Sequence, residues 1–112
     1  MKKENIIKKN KDFSVILNNG TKTKNEYYTV FYKPSTKTHY GISIPTKTGN
    51  AVIRNKIKRQ IKNIIDNNKN SIQTNYDYVI IVKKSILDIN YTKKEQNLIN
   101  LMSKIGDNNE KK

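Results

Sequence analysis

The first hydrophobic pattern in the chain has the period of a helix. Phe13, Ile16 and Leu17 lie at positions i, i+3 and i+4, and Gly20 follows them as a stop signal. This spacing predicts a short helix over about 11–18 with a narrow apolar stripe.

Two later patterns have the period of strands. Residues 26–33 are mostly aromatic or β-branched, which suits a pleated sheet. Alternation places Tyr27, Thr29 and Phe31 on one face of this strand and Tyr28, Val30 and Tyr32 on the other. Residues 39–44 alternate in the same way until Pro45, which lacks a backbone donor and ends the strand. A weaker signal at 21–24 predicts one more short strand.

The second half of the chain predicts two helices around a further strand. Asn50 is a suitable N-cap for a helix that ends near residue 65, because its side chain can accept from a free amide of the first turn. The isoleucines of this helix form one stripe that we expect in the core: Ile53, Ile57, Ile61, Ile64 and Ile65. Residues 76–82 end in four consecutive apolar residues, which predicts a central strand covered on both faces. The capping-box spacing of Thr92 and Glu95 predicts the start of a final helix.

The order of these elements predicts the fold class. Helix, three strands, helix, strand and helix form a single-domain αβββαβα sandwich of the α+β class, with a sheet of about four strands. A length of 112 residues suits one domain. We expect a basic N-terminal arm over 1–8, the domain over 9–106 and a disordered tail over 107–112.

The net charge of the chain indicates what kind of partner it binds. Lys and Arg number 23 against 9 acidic residues, a formal net charge of +14, and the mean hydropathy is −0.86. Such a charge favours binding to a polyanion. The candidate partners are nucleic acid, an acidic membrane surface and an acidic protein. No stretch approaches the length of a membrane anchor, so we discount the membrane. The lack of cysteine and of a signal peptide favours a cytoplasmic location.

The placement of arginine narrows the binding surface. Asn, Lys and Ile are so abundant that a codon bias of an AT-rich genome would explain some of the lysines. The two arginines, Arg54 and Arg59, both lie in the helix after Asn50. One interpretation is that this helix binds phosphate, through the forked guanidinium groups of the two arginines and the positive helix end at Gly49 and Asn50. The alternative is a solvated surface. The arginines favour phosphate binding, whereas Asn55 in isolation reads as compositional background.

The remaining candidate chemistry is sparse. His39 is the only histidine and is interpreted as a surface residue, and the acids are scattered without a metal-binding or catalytic spacing. We therefore predict no catalytic residue and no metal site in the protein. The aromatic strand over 26–33 offers rings for stacking on unpaired bases, but one of its faces must be core and periodicity does not say which.

One segment is specific. Residues 40–59 carry Gly49-Asn50-Ala51-Val52, Arg54-Asn55-Lys56 and Ile57-Lys58-Arg59 in order, after a strand and a loop. This order resembles the signature of the protein subunit of bacterial ribonuclease P. Further matches lie at 9–13, 19–21 and 78–81 and in the closing helix, so the resemblance covers about 8–105.

The resemblance implies both a fold and a function. It implies an αβββαβα sandwich with a left-handed βαβ crossover, and an endoribonuclease that removes 5′ leaders from precursor tRNA. In that family the RNA subunit is catalytic and holds the Mg²⁺ ions, so the expected partners are this RNA and precursor tRNA, with no obligate protein partner. The residues implied to contact the RNA subunit or its phosphates are Lys47, Asn50, Arg54, Asn55, Lys56, Lys58, Arg59 and Lys62. The residues implied to line the leader-binding cleft are Phe13, Leu17 and Phe31.

The chain departs from the family pattern at a few positions. Lys56 and Lys62 stand where the family usually has Arg, which keeps the charge and loses the bidentate geometry. Pro45-Thr46 replaces a Ser-Lys pair, and Leu17 replaces a Phe. Charge alone also allows a non-specific RNA-binding protein such as a small ribosomal protein. A nuclease that acts without RNA is a third reading, which no residue of the chain supports.

Overall fold

The computed structural model of the chain describes residue 7 and residues 10–105, with the side chains of all of these except 10–14. Apart from Ile7, the predicted arm over 1–8 lies outside the described residues, as does the predicted tail over 107–112. No helix in the described part combines the length and the apolar character that a membrane span requires.

Three α-helices form where the sequence predicts them. They are α1 (Asn10–Asn19), α2 (Ala51–Asn67) and α3 (Tyr91–Ser103), and short 3₁₀ turns occupy Thr46–Thr48, Lys69–Ser71 and Lys84–Asp88. The prediction of the α2 N-cap is confirmed, since Oδ1 of Asn50 accepts from the Ile53 amide at 3.0 Å.

The predicted start of α3 is wrong. The N-cap is Asn90, whose Oδ1 accepts from the Lys93 amide at 2.9 Å, and Thr92 lies inside the first turn. Asn is at least as good an N-cap as Thr, and its position two residues earlier lets the helix include Tyr91.

The sheet has four strands in the order β1-β2-β4-β3. Its strands are β1 (Thr21–Lys24), β2 (Tyr28–Pro34), β3 (His39–Ser43) and β4 (Tyr76–Val82). β2 is antiparallel to β1 and β4, whereas β3 is parallel to β4, so β3, α2 and β4 form a βαβ unit. The left hand of this crossover stays a prediction from the family resemblance.

The main core lies between one face of the sheet and the helices α2 and α3. Its buried members from the strands are Tyr28, Val30, Tyr40, Tyr78, Ile80 and Val82, and those from the two helices are Ile57, Ile61, Ile64, Ile65, Leu98, Leu101 and Met102. Burial of one such side chain contributes about 1.5–3 kcal/mol. The two deepest tyrosines also satisfy their hydroxyls, because Tyr28 donates to the Lys94 carbonyl at 3.0 Å and Tyr78 donates to the Gln73 carbonyl.

The opposite face of the sheet packs against α1. Ile16 of α1 and Ile7 are buried on Val79, with Phe31 and Ile81 partly buried beside them. The Ile7 amide also donates to the Tyr40 carbonyl at 2.9 Å. The prediction that β4 is covered on both faces is confirmed, and in β2 the face that carries Tyr28 is the one in the main core.

Ile53 was predicted to be a core residue, and this prediction is wrong. Its side chain is 38% exposed, whereas Ile57 one turn later is 2% exposed. Ile53 lies in the first turn of α2 at the margin of the isoleucine stripe, and its side chain packs beside the Gly49 backbone instead of the sheet.

Candidate nucleic-acid interface

The buried stripe of α2 fixes which side chains this helix presents to solvent. Ile57, Ile61 and Ile64 are held in the core, so residues on the other side of the helix are turned outward. Four of the predicted contact residues lie around this outward side: Asn55, Lys58, Arg59 and Lys62. Arg54 lies at the start of α2, in line with the isoleucine stripe. We call these five residues the basic face. Asn55, Lys58 and Arg59 are exposed, while Arg54 and Lys62 are half-buried.

The start of α2 carries a positive helix end without acidic compensation. Its first turn contains no acidic residue, and the Asn50 side chain is occupied by the bond to the Ile53 amide. The Arg54 side chain lies at the same helix end, because its Nε donates to the Gly49 carbonyl at 3.1 Å. This bond fixes one edge of the guanidinium and leaves its terminal nitrogens available to an anion.

Two adjoining depressions run along the basic face. One, of about 280 Å³, lies between the end of β3 and α2 and is lined by Ile42, Ser43, Ile44, Arg54, Asn55 and Lys58. The other, of about 510 Å³, is lined by Val52, Asn55, Lys58, Arg59 and Lys62. Asn55 and Lys58 line both depressions, so the basic face is a continuous surface with an amide and a cation at its centre.

Three of the predicted RNA-contact residues do not line these depressions, namely Lys47, Asn50 and Lys56. Lys47 is exposed in the 3₁₀ turn before α2. Lys56 is exposed on the other flank of α2, towards α3, where burial and then the charge of Lys56 lower the pKa of Lys94. Nζ of Lys94 donates to Oε1 of Gln60 at 2.9 Å. The structure therefore separates Lys56 from the basic face.

The predicted leader-binding cleft lies on the α1 side of the sheet. Phe31 is half-buried there against the cluster of Ile16 and Val79. Leu17 on α1 is 39% exposed. The side chain of Phe13 lies outside the described residues.

Sequence reasoning missed several residues of these surfaces. Val52 is 76% exposed and gives the larger depression an apolar element, a position that its place opposite the isoleucine stripe signals. Ser43 contributes a hydroxyl to the smaller depression. The surface histidine, His39, has a specific partner, since its Nδ1 lies 2.7 Å from Oδ1 of Asp77. Only the register of β3 against β4 brings this pair together.

The side chains of the basic face do not fit the Mg²⁺ ion that the family resemblance implies. Mg²⁺ is held by oxygen ligands, carboxylates among them. The residues that line the two depressions include no carboxylate, and the described part of the chain holds no group of three or more His, Cys, Asp or Glu that would bind a metal. The basic face suits an anion.

A four-stranded mixed sheet, three helices and a cationic helix face define a class of small basic α+β proteins built to bind a polyanion. Within this class the particular family is clear, because the model of the ribonuclease P family matches residues 1–106. The chain belongs to the ribonuclease P protein family. Its function is that of the protein component of bacterial ribonuclease P, a ribonucleoprotein of tRNA processing.

Named relatives support this assignment along nearly the whole chain. The ribonuclease P protein component of Mycoplasma mycoides subsp. mycoides SC is 42% identical over 108 residues, which cover 94% of this chain and 99% of the relative. The component of Streptococcus agalactiae serotype III is 37% identical over 108 residues, with 95% and 98% covered.

Solved structures agree with the fold. The ribonuclease P protein of Staphylococcus aureus superposes with a TM-score of 0.84 at 30% identity, covering 91% of this chain and 95% of that one. The protein of Thermotoga maritima gives a TM-score of 0.79 at 28% identity, with 83% and 90% covered. The predicted α+β sandwich is confirmed.

Proposed function

We propose that the chain binds the catalytic RNA of ribonuclease P through the basic face and leaves the cleavage chemistry to that RNA. The observation that carries the proposal is the basic face itself, with four cations and one amide around two adjoining depressions that no carboxylate lines. Such a surface neutralises phosphates and releases their counterions, which is the main source of affinity for RNA. Lys47, Asn50 and Lys56 extend the contact beyond the depressions.

The α1 side of the sheet binds the single-stranded 5′ leader of precursor tRNA. Phe31 presents a half-buried ring there, and unpaired bases stack on such rings with about 1–3 kcal/mol per base. Leu17 adds an exposed apolar side chain from α1, and Phe13 belongs to the same helix at i−4. The basic face and the cleft thus hold two different parts of the RNA.

The RNA subunit holds the Mg²⁺ ions in this arrangement. The cationic basic face offers them no ligands, whereas phosphate oxygens of RNA are suitable ones. Cations of the protein lower the phosphate charge that the metal would otherwise neutralise, so the protein reduces the Mg²⁺ concentration that cleavage requires. The partners are the catalytic RNA and precursor tRNA, in the cytoplasm.

Reconstitution tests the proposal. The wild-type protein, added to the cognate RNA subunit at low Mg²⁺, should increase precursor tRNA cleavage. The double variant Arg54→Ala/Arg59→Ala should lower affinity for the cognate RNA at least about tenfold and flatten its salt dependence, since two phosphate contacts are lost. The matched control is Lys93→Ala/Lys104→Ala, which removes the same charge from exposed positions at the two ends of α3.

Three results would contradict the proposal. Wild-type protein that leaves cleavage at low Mg²⁺ unchanged excludes the subunit role. An equal loss of affinity for cognate and unrelated RNAs in the arginine variant indicates a non-specific RNA-binding protein. Cleavage by the protein without any RNA subunit indicates a nuclease with its own catalytic residues.

A further inference from the structure

The edge strand β1 carries its cations on one side only. Its sequence is Thr-Lys-Thr-Lys, and because successive side chains of a strand point to opposite faces, the two lysines share one face. The register pairs Lys22 with Phe31 and Lys24 with Thr29. Phe31 packs in the cluster with Ile16 of α1, so Lys22 and Lys24 lie on the α1 side of the sheet, next to the ring of the leader cleft.

Both lysines are available to a ligand. Each is exposed, and neither forms an ion pair with another described residue. β1 stands at the edge of the sheet, and no other strand among the described residues covers it. The two Cα atoms are about 7 Å apart along the strand, which makes Lys22 and Lys24 a short row of charges along the open edge of the α1 side.

Edge strands often carry lysine simply to prevent pairing with another chain. That role needs a charge on the edge but does not select a face. In β1 the face away from α1 carries only Thr21 and Thr23, while both charges stand beside Phe31. The opposite face of β1 belongs to the main core, where partly buried Thr23 pairs with buried Val30, so burial already disfavours lysine there. What favours a ligand is that both charges stand exposed beside the half-buried ring of Phe31.

We propose that Lys22 and Lys24 bind backbone phosphates of the leader nucleotides that lie beyond those at Phe31. The single strand then leaves the cleft across β1, from Phe31 towards the open edge of the sheet. This inference rests on the proposed leader-binding function, and it adds an outer segment to the leader site. Lysine suits that segment because it attracts phosphate without selecting a base.

The test uses the holoenzyme reconstituted with its RNA subunit and two forms of one precursor tRNA. One form has a leader long enough to cross β1, and the other has a leader cut back close to the cleavage site. The variant Lys22→Gln/Lys24→Gln should weaken binding of the long-leader form about threefold to tenfold and leave the short-leader form unchanged. The slope of log affinity against log salt should become less steep by about 1.4 for the long leader only.

Two further variants make the comparison specific. Lys93→Gln/Lys104→Gln removes the same charge from α3, on the other side of the sheet, and should leave the leader-length dependence unchanged. The rearranged variant Thr21→Lys/Lys22→Thr/Thr23→Lys/Lys24→Thr keeps composition, net charge and lysines on the edge but moves them to the opposite face. It should lose as much long-leader affinity as Lys22→Gln/Lys24→Gln. Thermal unfolding of each variant verifies that it is folded. If the rearranged variant does not fold, the result for Lys22→Gln/Lys24→Gln alone tests the inference.

The outcomes separate this inference from the proposed function. If wild-type holoenzyme prefers the long leader and Lys22→Gln/Lys24→Gln retains that preference in full, the role of β1 is wrong and the leader cleft stands. Wild-type affinity of the rearranged variant for the long leader would also overturn the inference, because lysines on either face of β1 would then support leader binding. If wild-type holoenzyme binds both leaders equally, the leader-binding function itself fails.

Discussion

Gly20 lies between α1 and β1 at a point where two backbone carbonyls leave no room for a side chain. A Cβ there would lie 2.4 Å from the Ile16 carbonyl oxygen and 2.9 Å from that of Tyr32. The Gly20 amide also donates to the Ile16 carbonyl at 2.7 Å. Because backbone atoms cannot rotate away, we expect Gly20→Ala to lower the free energy of unfolding by about 1–3 kcal/mol, as measured by urea denaturation.

Gly49→Ala is the matched control for this prediction. The nearest atoms to a Cβ at Gly49 belong to the side chain of Ile53, at 3.0 to 3.2 Å. The backbone of Gly49 is extended, which any residue adopts, and the Ile53 side chain is exposed enough to change rotamer. We therefore expect Gly49→Ala to cost less than Gly20→Ala. An equal or larger loss at Gly49 would show that the contact with Ile53 is as rigid as a backbone contact.

Single residues differ in how well the sequence predicts them. The Asn50 cap could be predicted because it depends on atoms three residues apart. Ile53 could not be assigned correctly from periodicity, since the first turn of a helix follows the period whether or not a sheet lies beneath it. The bond between His39 and Asp77 spans 38 residues and depends on the register of β3 and β4.

The start of α2 combines a helix cap and an anion site in one element, and a substitution at Asn50 separates the two. Asn50→Ala removes the bond to the Ile53 amide and should lower the free energy of unfolding by about 1 kcal/mol. Asn50→Asp keeps the cap and adds a favourable charge at the helix end, so stability should be retained. The same carboxylate repels phosphate, so Asn50→Asp should weaken RNA binding. Thermal unfolding and RNA titration measure the two effects.

Asn50→Ala is the control for the binding half of this prediction, measured well below its unfolding temperature. It should bind RNA more tightly than Asn50→Asp does, because it adds no negative charge to the basic face. If the two variants lose the same affinity, loss of the Asn50 amide accounts for the whole effect and the repulsion argument is wrong.

At the scale of elements, periodicity predicted the three helices and the strands but not their arrangement. The order β1-β2-β4-β3 and the parallel pairing of β3 with β4 depend on contacts between distant segments. That arrangement decides which side of β2 meets α1 and where Lys22 and Lys24 point. The arrangement also places Lys56 towards Lys94 of α3, away from the basic face. A helical wheel predicts this only once the position of α3 is known.

At the scale of the whole molecule, the described part of the chain carries clusters of positive charge on two separate surfaces. Arg54, Lys58, Arg59 and Lys62 lie on the basic face, and Lys22 and Lys24 lie at the edge of the α1 side. With a formal net charge of +14, repulsion among these groups opposes the compact state. The free protein should therefore be less stable than its complex with RNA, and its stability should depend on the anions in solution.

Anions that bind the folded protein should raise its unfolding temperature. Sulfate resembles a phosphate group and suits the helix end and guanidinium of the basic face, so it should stabilise by RT ln(1 + [L]/Kd), or about 2.7 kcal/mol at a hundredfold excess over Kd. Chloride at the same ionic strength provides the screening contribution. Sulfate also stabilises by exclusion from the protein surface, a contribution that wild type and Arg54→Ala/Arg59→Ala share. Calorimetry should thus give a larger rise in sulfate, and a smaller difference between the salts for Arg54→Ala/Arg59→Ala. Equal rises in both salts would mean that charge screening, without bound anions, accounts for the stabilisation.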